Sequence, residues 1–311
     1  MAGLLLLAAL VSCAGDETPA DALIADGSLR PITVNGAELH YLARGSGPAI
    51  VFVHGGLADY REWLPVMERL NGRYTAIAYS RRHSHPNRPN PARLDHSPWT
   101  EAEDLAALIR ELGAGPLHVA GTSYGAFTAL CLALRYPDLV ASLTVVEPPL
   151  VSWLPHIDGG QPVLDDFNDR LVVPVRAAFM AGDRDAAFAI TLRYFAGPDA
   201  MEQIPADVRD SLRANLHDWE VMFRSSDLLP DVPRASLQDL RVPVLMLSGA
   251  ETYALGRLVD GELERTLPDV RRSIIPGGTH DACVEHPAMC ALEIGAFLDG
   301  LEPRSAARPG A

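Results

Sequence analysis

The fold of this chain is decided by one segment, Leu117-His118-Val119-Ala120-Gly121-Thr122-Ser123-Tyr124-Gly125-Ala126-Phe127. Its first residues form a short apolar run that predicts a buried strand, and small residues with helical spacing follow Ser123. Because Gly121 and Gly125 lack a Cβ atom, the backbone between the strand and the helix can turn sharply. A serine at the tip of such a turn is exposed to a substrate, so Ser123 is the candidate nucleophile.

The composition limits what the chain can bind. It has 311 residues, of which 48% are hydrophobic and 21% charged, enough for one large core or for a core with an insertion. The formal net charge of −14 leaves no basic stripe to neutralise phosphates, which argues against a nucleic-acid partner. We expect the partner to be a small neutral or apolar molecule.

The first 15 residues have the pattern of an export signal. Residues 4–11 are an apolar run too short to span a bilayer, as in the hydrophobic part of a signal peptide. The run ends in Leu10-Val11-Ser12-Cys13, which resembles a bacterial lipobox, whose cysteine is lipidated. No Lys or Arg precedes it, so a plain apolar extension of a cytoplasmic protein is the alternative. We expect an exported protein, periplasm-facing or on the cell surface, anchored to a membrane through Cys13.

The rest of the chain divides by pattern into a core with an insertion. Residues 16–30 have the composition of a tether, with order expected from about Ile32, and residues 302–311 that of a disordered tail. Strands alternate with helices over residues 31–150 and again over 237–301, which predicts an α/β fold with a mostly parallel sheet covered on both faces. Residues 151–236 contain helical stretches without a strong strand, which predicts an inserted α-helical cap.

Individual elements follow from the apolar periodicity and from Gly and Pro punctuation. The predicted strands are residues 38–43, 49–53, 74–79, the apolar run before the Ser123 turn, 139–146, 242–247 and 271–275. The predicted helices are a stretch that carries Trp63, Val66, Met67 and Leu70, the helix after the Ser123 turn, which Tyr136-Pro137 ends, and residues 100–112, 171–180, 184–195, 205–223, 254–267 and 287–301. The cap helices carry many aromatic residues, which predicts a cap core and an apolar wall facing a pocket.

One histidine has the context of a general base. His280 ends the glycine-rich segment Gly277-Gly278-Thr279-His280 directly after an apolar strand, at the sheet edge where ligands bind. His83 and His85 form an H-x-H pair that could ligate a metal. Because no acidic or cysteine partner lies nearby in the sequence, we interpret this pair as part of an ordinary loop and predict no metal.

Four separated features together resemble the α/β-hydrolase superfamily over residues 31–301. They are His54-Gly55-Gly56 after an early strand, the turn around Ser123, an acid, and the loop that ends in His280. Their order, serine before acid before histidine, is the order of that fold. The resemblance implies the serine-nucleophile, esterase-like branch, in which His280 takes the Ser123 proton.

The resemblance also implies the remaining members of a site. The backbone N–H groups of Tyr124 and Gly56 are expected to form the oxyanion hole, with Gly55 or Leu57 as alternatives to Gly56. His54 is more often structural in this superfamily. Most relatives carry the acid a few residues after the strand predicted at 242–247, where this chain has Glu251. A minority carry it one strand earlier, where this chain has Glu147, and Glu147 is the preferred assignment.

These groups predict hydrolysis of a small or medium ester or lactone with an apolar part, through an acyl-enzyme and without a cofactor. The alternatives are a carbon–carbon bond or amide hydrolase that uses the same triad, and a non-catalytic ligand-binding member of the fold. Among the remaining cysteines, Cys131 is interpreted as a buried structural thiol. Cys283 and Cys290 could form a disulfide in an oxidising compartment.

Overall fold

The structure is a computed structural model that describes residue 23 and residues 25–70, 72–89 and 96–301. The predicted export signal at 1–15, the greater part of the predicted tether and the predicted tail at 302–311 lie outside these residues. Order begins earlier than Ile32, because the first strand starts at Arg30 and Asp26 forms a bridge with Arg44.

An eight-stranded sheet forms the centre of the described fold, in the order β1-β2-β4-β3-β5-β6-β7-β8. The strands are β1 Arg30–Val34, β2 Ala37–Gly45, β3 Ala49–Val53, β4 Thr75–Tyr79, β5 Leu117–Thr122, β6 Val140–Val146, β7 Val244–Gly249 and β8 Val270–Ile275. Strand β2 runs antiparallel to β1 and β4, and the pairs from β4 to β8 are parallel. The predicted α/β architecture with a mostly parallel sheet is therefore confirmed.

Helices cover both faces of the sheet because its central strands are apolar on both sides. Within β3, Val51 and Val53 face one hydrophobic cluster, while Ile50 and Phe52 face the other. The α-helices are α1 Leu64–Leu70, α2 Pro98–Glu111, α3 Tyr124–Arg135, α4 Gly160–Phe167, α5 Val173–Met180, α6 Arg184–Ala196, α7 Ala200–Gln203, α8 Ala206–Ala214, α9 Leu216–Arg224, α10 Arg234–Gln238, α11 Ala254–Thr266, α12 Ala282–Glu285 and α13 Pro287–Asp299. None of the helices in the described part is long and apolar enough to cross a membrane.

Helices α4 to α10 form the segment between β6 and β7, where the sequence predicts a cap. The predicted single helix at 205–223 is two helices, α8 and α9, which meet at Asn215. The Asn215 side chain donates to Asp59 Oδ2 at 2.7 Å and accepts from the backbone N–H of His85 at 2.8 Å. These bonds to residues outside the insertion divide the helix and tie α9 to the end of the sheet.

The cysteines occupy two environments. Cys131 is buried within α3, as its helical position predicts. Cys283 and Cys290 form a disulfide that joins α12 to α13, with their Cα atoms 5.5 Å apart.

Candidate active site

Ser123 lies at the turn between β5 and α3 in a strained backbone conformation. Its φ of 50° is in the left-handed region that L-residues rarely adopt. A Cβ atom at Gly121 would overlap the Gly125 carbonyl, and one at Gly125 would overlap the Val53 carbonyl. The two glycines are therefore required by close backbone contact, and this contact holds Ser123 at the carboxyl edge of the sheet.

His280 and Glu147 are adjacent in space although they are far apart in the chain. His280 Nδ1 lies 2.7 Å from Glu147 Oε2, across a sequence separation of 133 residues. Burial lowers the pKa of His280, but the hydrogen bond to Glu147 and the nearby carboxylates outweigh this effect and raise that pKa above its usual 6.5. The pair can therefore orient the imidazole and stabilise its protonated form.

The Glu147 carboxylate is buried and accepts three hydrogen bonds. It accepts hydrogen bonds from the Gly249 backbone N–H at 2.9 Å and from Thr252 Oγ1 at 2.5 Å, in addition to the one from His280. Gly249 is the last residue of β7 and Thr252 follows it, and β7 lies directly beside β6 in the sheet. Three donors offset the cost of burying the charge and fix the oxygen that faces His280.

Glu251 lies elsewhere. Its side chain is exposed, and its backbone N–H donates to the Gly278 carbonyl at 2.8 Å. Among the described hydrogen bonds of His280, the carboxylate partner is Glu147.

The loop after β3 brings the other expected groups to Ser123. An added Cβ atom on Gly55 would lie 3.5 Å from the Ser123 Cβ atom, so the loop and Ser123 are neighbours. The Gly55 N–H is already bonded to Glu62 Oε2 at 2.8 Å, which leaves Gly56 or Leu57 as the candidate donor in this loop. Both line the same cavity as Ser123. Tyr124 is the first residue of α3, where backbone N–H groups have no partner within the helix.

A cavity of about 170 Å³ opens beside Ser123 and His280. Its far wall comes from the segment between β6 and β7, as the aromatic content of that segment predicts. The wall is mostly apolar: Phe167, Leu171, Leu192, Phe195, Ala196, Ile204, Leu212, Trp219, Met222, Phe223, Leu228 and Leu229. No lysine or arginine is among the described residues that line the cavity.

Two further carboxyl groups line the cavity, Glu62 and Asp281. Burial raises the pKa of Glu62 to about 8, against the hydrogen bond from Gly55, and the negative charge of Asp281 raises it further. Glu62 is therefore mainly uncharged at neutral pH, so its own carboxyl group adds little negative charge beside the loop after β3.

The two residues of the H-x-H pair are in different surroundings. His83 is buried, whereas His85 is exposed, so the two rings do not converge on one point. A different group, His96, Glu101 and Asp218, brings three ligand atoms within 4.8 Å of one another. The Arg81 guanidinium lies between the two carboxylates, 2.8 Å from Asp218 and 3.6 Å from Glu101. A cation already balances this group, and we assign no metal to it.

Sequence patterns did not single out Glu62, Arg81 and Asp218 as parts of the site. Glu62 lies in a 3₁₀ turn, Arg81 in an irregular loop and Asp218 on an amphipathic helix, and surface charges are ordinary in all three settings. What these residues share is their position in the folded chain, because each contacts the loop of Gly55 or a residue bonded to that loop.

The family follows from comparison with known proteins. Residues 48–287, more than half of the chain, match the family described as alpha/beta hydrolase fold. The protein belongs to this family. This alpha/beta hydrolase is similar to 2-(acetamidomethylene)succinate hydrolase of Mesorhizobium japonicum, with 26% identity over 87% of this chain and 95% of that protein. It is also similar to the putative carbamate hydrolase RutD of a Caulobacter species, with 26% identity over 80% of this chain and 94% of that protein.

Solved structures share the fold of this alpha/beta hydrolase. The enol-lactonase of Burkholderia xenovorans superposes with a TM-score of 0.69, at 19% identity, over 87% of this chain and 100% of that chain. At this identity the likeness shows the fold alone. The arrangement of Ser123, His280 and Glu147 in this chain must therefore be interpreted from its own geometry.

Proposed function

We propose that this protein is a serine hydrolase that cleaves a small or medium ester or lactone through an acyl-enzyme. Ser123 attacks the carbonyl carbon, His280 takes the Ser123 proton and returns it to the leaving group, and Glu147 holds the imidazole. The N–H groups of Gly56 and Tyr124 stabilise the oxyanion. Water then hydrolyses the acyl-enzyme with His280 as the base. The 2.7 Å contact between His280 and Glu147 is the observation that carries this proposal.

The cavity supports a substrate with an apolar part. Aromatic and aliphatic side chains form most of its wall, and burial of apolar surface contributes roughly 25 cal/mol per Å². The carboxyl groups that line it belong to Glu62 and Asp281. An anionic substrate would meet the Asp281 carboxyl group without a lysine or arginine among the described lining residues to neutralise it, so we infer that the substrate carries no negative charge.

A fluorophosphonate probe tests the nucleophile directly. The wild-type protein is expected to form a covalent adduct on the peptide that contains Ser123, because an activated serine attacks phosphorus as it attacks a carbonyl. Mass spectrometry of the digested protein locates the adduct. The absence of an adduct, or an adduct on another serine, would contradict the proposal and favour the non-catalytic binding protein.

An amide or carbon–carbon bond hydrolase with the same triad is the second candidate. The similarity to 2-(acetamidomethylene)succinate hydrolase over most of both chains favours it. The cavity argues against a substrate like that of this relative, because a succinate carries two carboxylates and the described lining residues include no lysine or arginine.

Paired substrates separate the two candidates. We expect kcat/KM for p-nitrophenyl butyrate to exceed that for the p-nitrophenyl monoester of succinate by at least about tenfold, since a charge in an apolar site must be desolvated without a partner. The two esters have the same leaving group and acyl groups of similar length. Equal rates, or faster cleavage of the charged ester or of an enamide, would favour the second candidate.

We also propose that the protein is exported and lipidated at Cys13. The disulfide between Cys283 and Cys290 supports export, because disulfides persist mainly in oxidising compartments. Expression of the full chain in a bacterial host with radiolabelled palmitate is expected to label the wild-type protein but not Cys13→Ala. Equal labelling of both proteins, or of neither, would contradict lipidation at this residue.

A further inference from the structure

The Gly55 carbonyl is held by two donors behind the proposed oxyanion hole. His54 Nδ1 lies 2.8 Å from this oxygen, and an Arg81 side-chain N–H donates to it at 3.1 Å. His54 is itself fixed, because its Nε2 accepts the backbone N–H of Arg81 at 2.9 Å. Burial and the charge of Arg81 lower the pKa of His54 to about 4, which keeps the ring neutral with its proton on Nδ1.

This anchoring determines the direction of the next N–H group. A trans peptide unit is planar, and its C=O and N–H bonds point in opposite directions. Because the Gly55 carbonyl points at His54 and Arg81, the Gly56 N–H of the same peptide points away from them. Gly56 lines the cavity that contains Ser123. The two donors on the Gly55 carbonyl therefore aim the proposed oxyanion donor into the cavity.

Arg81 is held in turn by α9 of the inserted segment. The same Arg81 nitrogen that donates to the Gly55 carbonyl lies 2.8 Å from Asp218 Oδ2, and both side chains are completely buried. The positive charge of Arg81 lowers the pKa of Asp218 against the effect of burial, so the pair is ionised. A single planar guanidinium thus joins a helix of the insertion to the loop after β3.

The next residue of α9 contacts the same loop. A Cβ atom on Gly56 would collide with the Trp219 ring, so the loop packs directly on this side chain. Trp219 cannot move freely, because its indole N–H donates to Thr191 Oγ1 of α6 at 2.9 Å. Asp218 acts on the Gly55 carbonyl through Arg81, and Trp219 covers the adjacent glycine.

We propose that Arg81 and Asp218 are positioning residues, through which helix α9 holds the Gly55–Gly56 peptide so that the Gly56 N–H faces the oxyanion. This role rests on the proposed function, since it assigns Gly56 as a donor. The geometry of the oxyanion hole then depends on the inserted segment as well as on the sheet. A displacement of α9 would turn this N–H away while Ser123, His280 and Glu147 stayed in place.

The test compares Asp218→Asn with Asp104→Asn. Asp104 forms a similarly buried pair with the neighbouring Arg82, at 2.6 and 2.8 Å, and none of the described hydrogen bonds of these two side chains reaches Gly55. The same chemical change is thus made in two adjacent buried ion pairs, only one of which reaches the oxyanion loop. Arg81→Lys is the second variant, because an ammonium keeps the charge but loses the planar fork.

Three measurements are made on the full-length protein. Hydrogen–deuterium exchange of peptides that cover residues 54–58 reports loop order without any need for turnover. Steady-state kinetics on a p-nitrophenyl ester measure how well the oxyanion hole stabilises the transition state. The affinity for a trifluoromethyl ketone, which forms an oxyanion on Ser123, measures the same stabilisation at equilibrium. For Asp218→Asn and Arg81→Lys we expect faster exchange at residues 54–58 and a kcat that is lower by about 10- to 100-fold, while KM changes by less than about threefold. The affinity for the ketone should fall by about the same factor as kcat.

The outcomes distinguish the two proposals. Asp104→Asn is expected to keep wild-type kcat and wild-type exchange at residues 54–58, even if its melting temperature falls as far as that of Asp218→Asn. Equal effects of the two aspartate variants, or unchanged exchange in both Arg81→Lys and Asp218→Asn, would overturn the positioning role. The two variants could show faster exchange while the wild-type protein neither turns over esters nor reacts with fluorophosphonate. This result would support the contact of Arg81 and Asp218 with the Gly55 loop and would refute the proposed hydrolase function.

Discussion

Replacing Ser123 by alanine is expected to lower kcat for a p-nitrophenyl ester by about 10⁵-fold, because no acyl-enzyme can form without the hydroxyl. The substitution should be well tolerated, since alanine removes one oxygen and the strained φ of 50° is maintained by the contacts of Gly121 and Gly125. The melting temperature is therefore expected to change little. Steady-state kinetics with purified protein that is free of host esterases measure the residual rate.

Ser152→Ala is the matched control for this variant. Ser152 lies in the inserted segment and is not among the residues that line the cavity, and within the described part of the chain its buried hydroxyl has no hydrogen-bond partner. It should retain wild-type kcat. A Ser123→Ala protein that keeps more than about a tenth of the wild-type rate would show that another group performs the attack.

Glu147→Gln is expected to lower kcat by about 10⁴-fold, as loss of the triad carboxylate does in serine hydrolases generally. A neutral amide at this position cannot stabilise the imidazolium, and its NH₂ group can hold the wrong tautomer of His280. The substitution preserves the size of a buried side chain, so KM should change little. Kinetics with the same ester measure the loss.

Glu251→Gln is the control, because Glu251 is the other acid that the sequence allows and its side chain is exposed. We expect it to keep at least about half of the wild-type kcat. If Glu251→Gln loses activity by orders of magnitude and Glu147→Gln does not, the assignment of the acid is wrong.

The pH dependence of kcat/KM gives an independent check on Glu147. His280 acts as a base only when it is neutral, and its folded pKa is raised above 6.5, so activity is lost as the pH falls through this raised value. The acid limb of the wild-type profile should therefore have its midpoint above pH 6.5. Removal of the negative charge in Glu147→Gln should move the midpoint of the residual activity to lower pH. A limb that stays at the wild-type pH in this variant would contradict the contact between the two side chains as the cause.

Local patterns in the sequence predicted strands β2 to β8, the longer helices and the position of Ser123, but not the edge strand β1 or the short helices α4, α7, α10 and α12. The strand before Ser123 is an apolar run, and the glycine spacing reflects contacts within a few residues and with the adjacent strand β3. The prediction of one helix at 205–223 was wrong, because the break between α8 and α9 at Asn215 depends on hydrogen bonds to Asp59 and His85 in distant parts of the chain. The prediction of export and of a lipidated Cys13 stays a prediction.

The sequence by itself indicated the family, the candidate nucleophile and the candidate base, since each depends on short segments with characteristic spacing. Two choices depended on tertiary structure. The contact of Glu147 rather than Glu251 with His280 arises because β6, β7 and β8 are neighbours, so that a carboxylate after β6 reaches a histidine 133 residues away. The bond between Arg81 and Asp218 spans 137 residues and exists only because the insertion folds back over the loop after β3. Both pairs contain a buried carboxylate, which is stable only when the fold brings hydrogen-bond donors within reach of its oxygens.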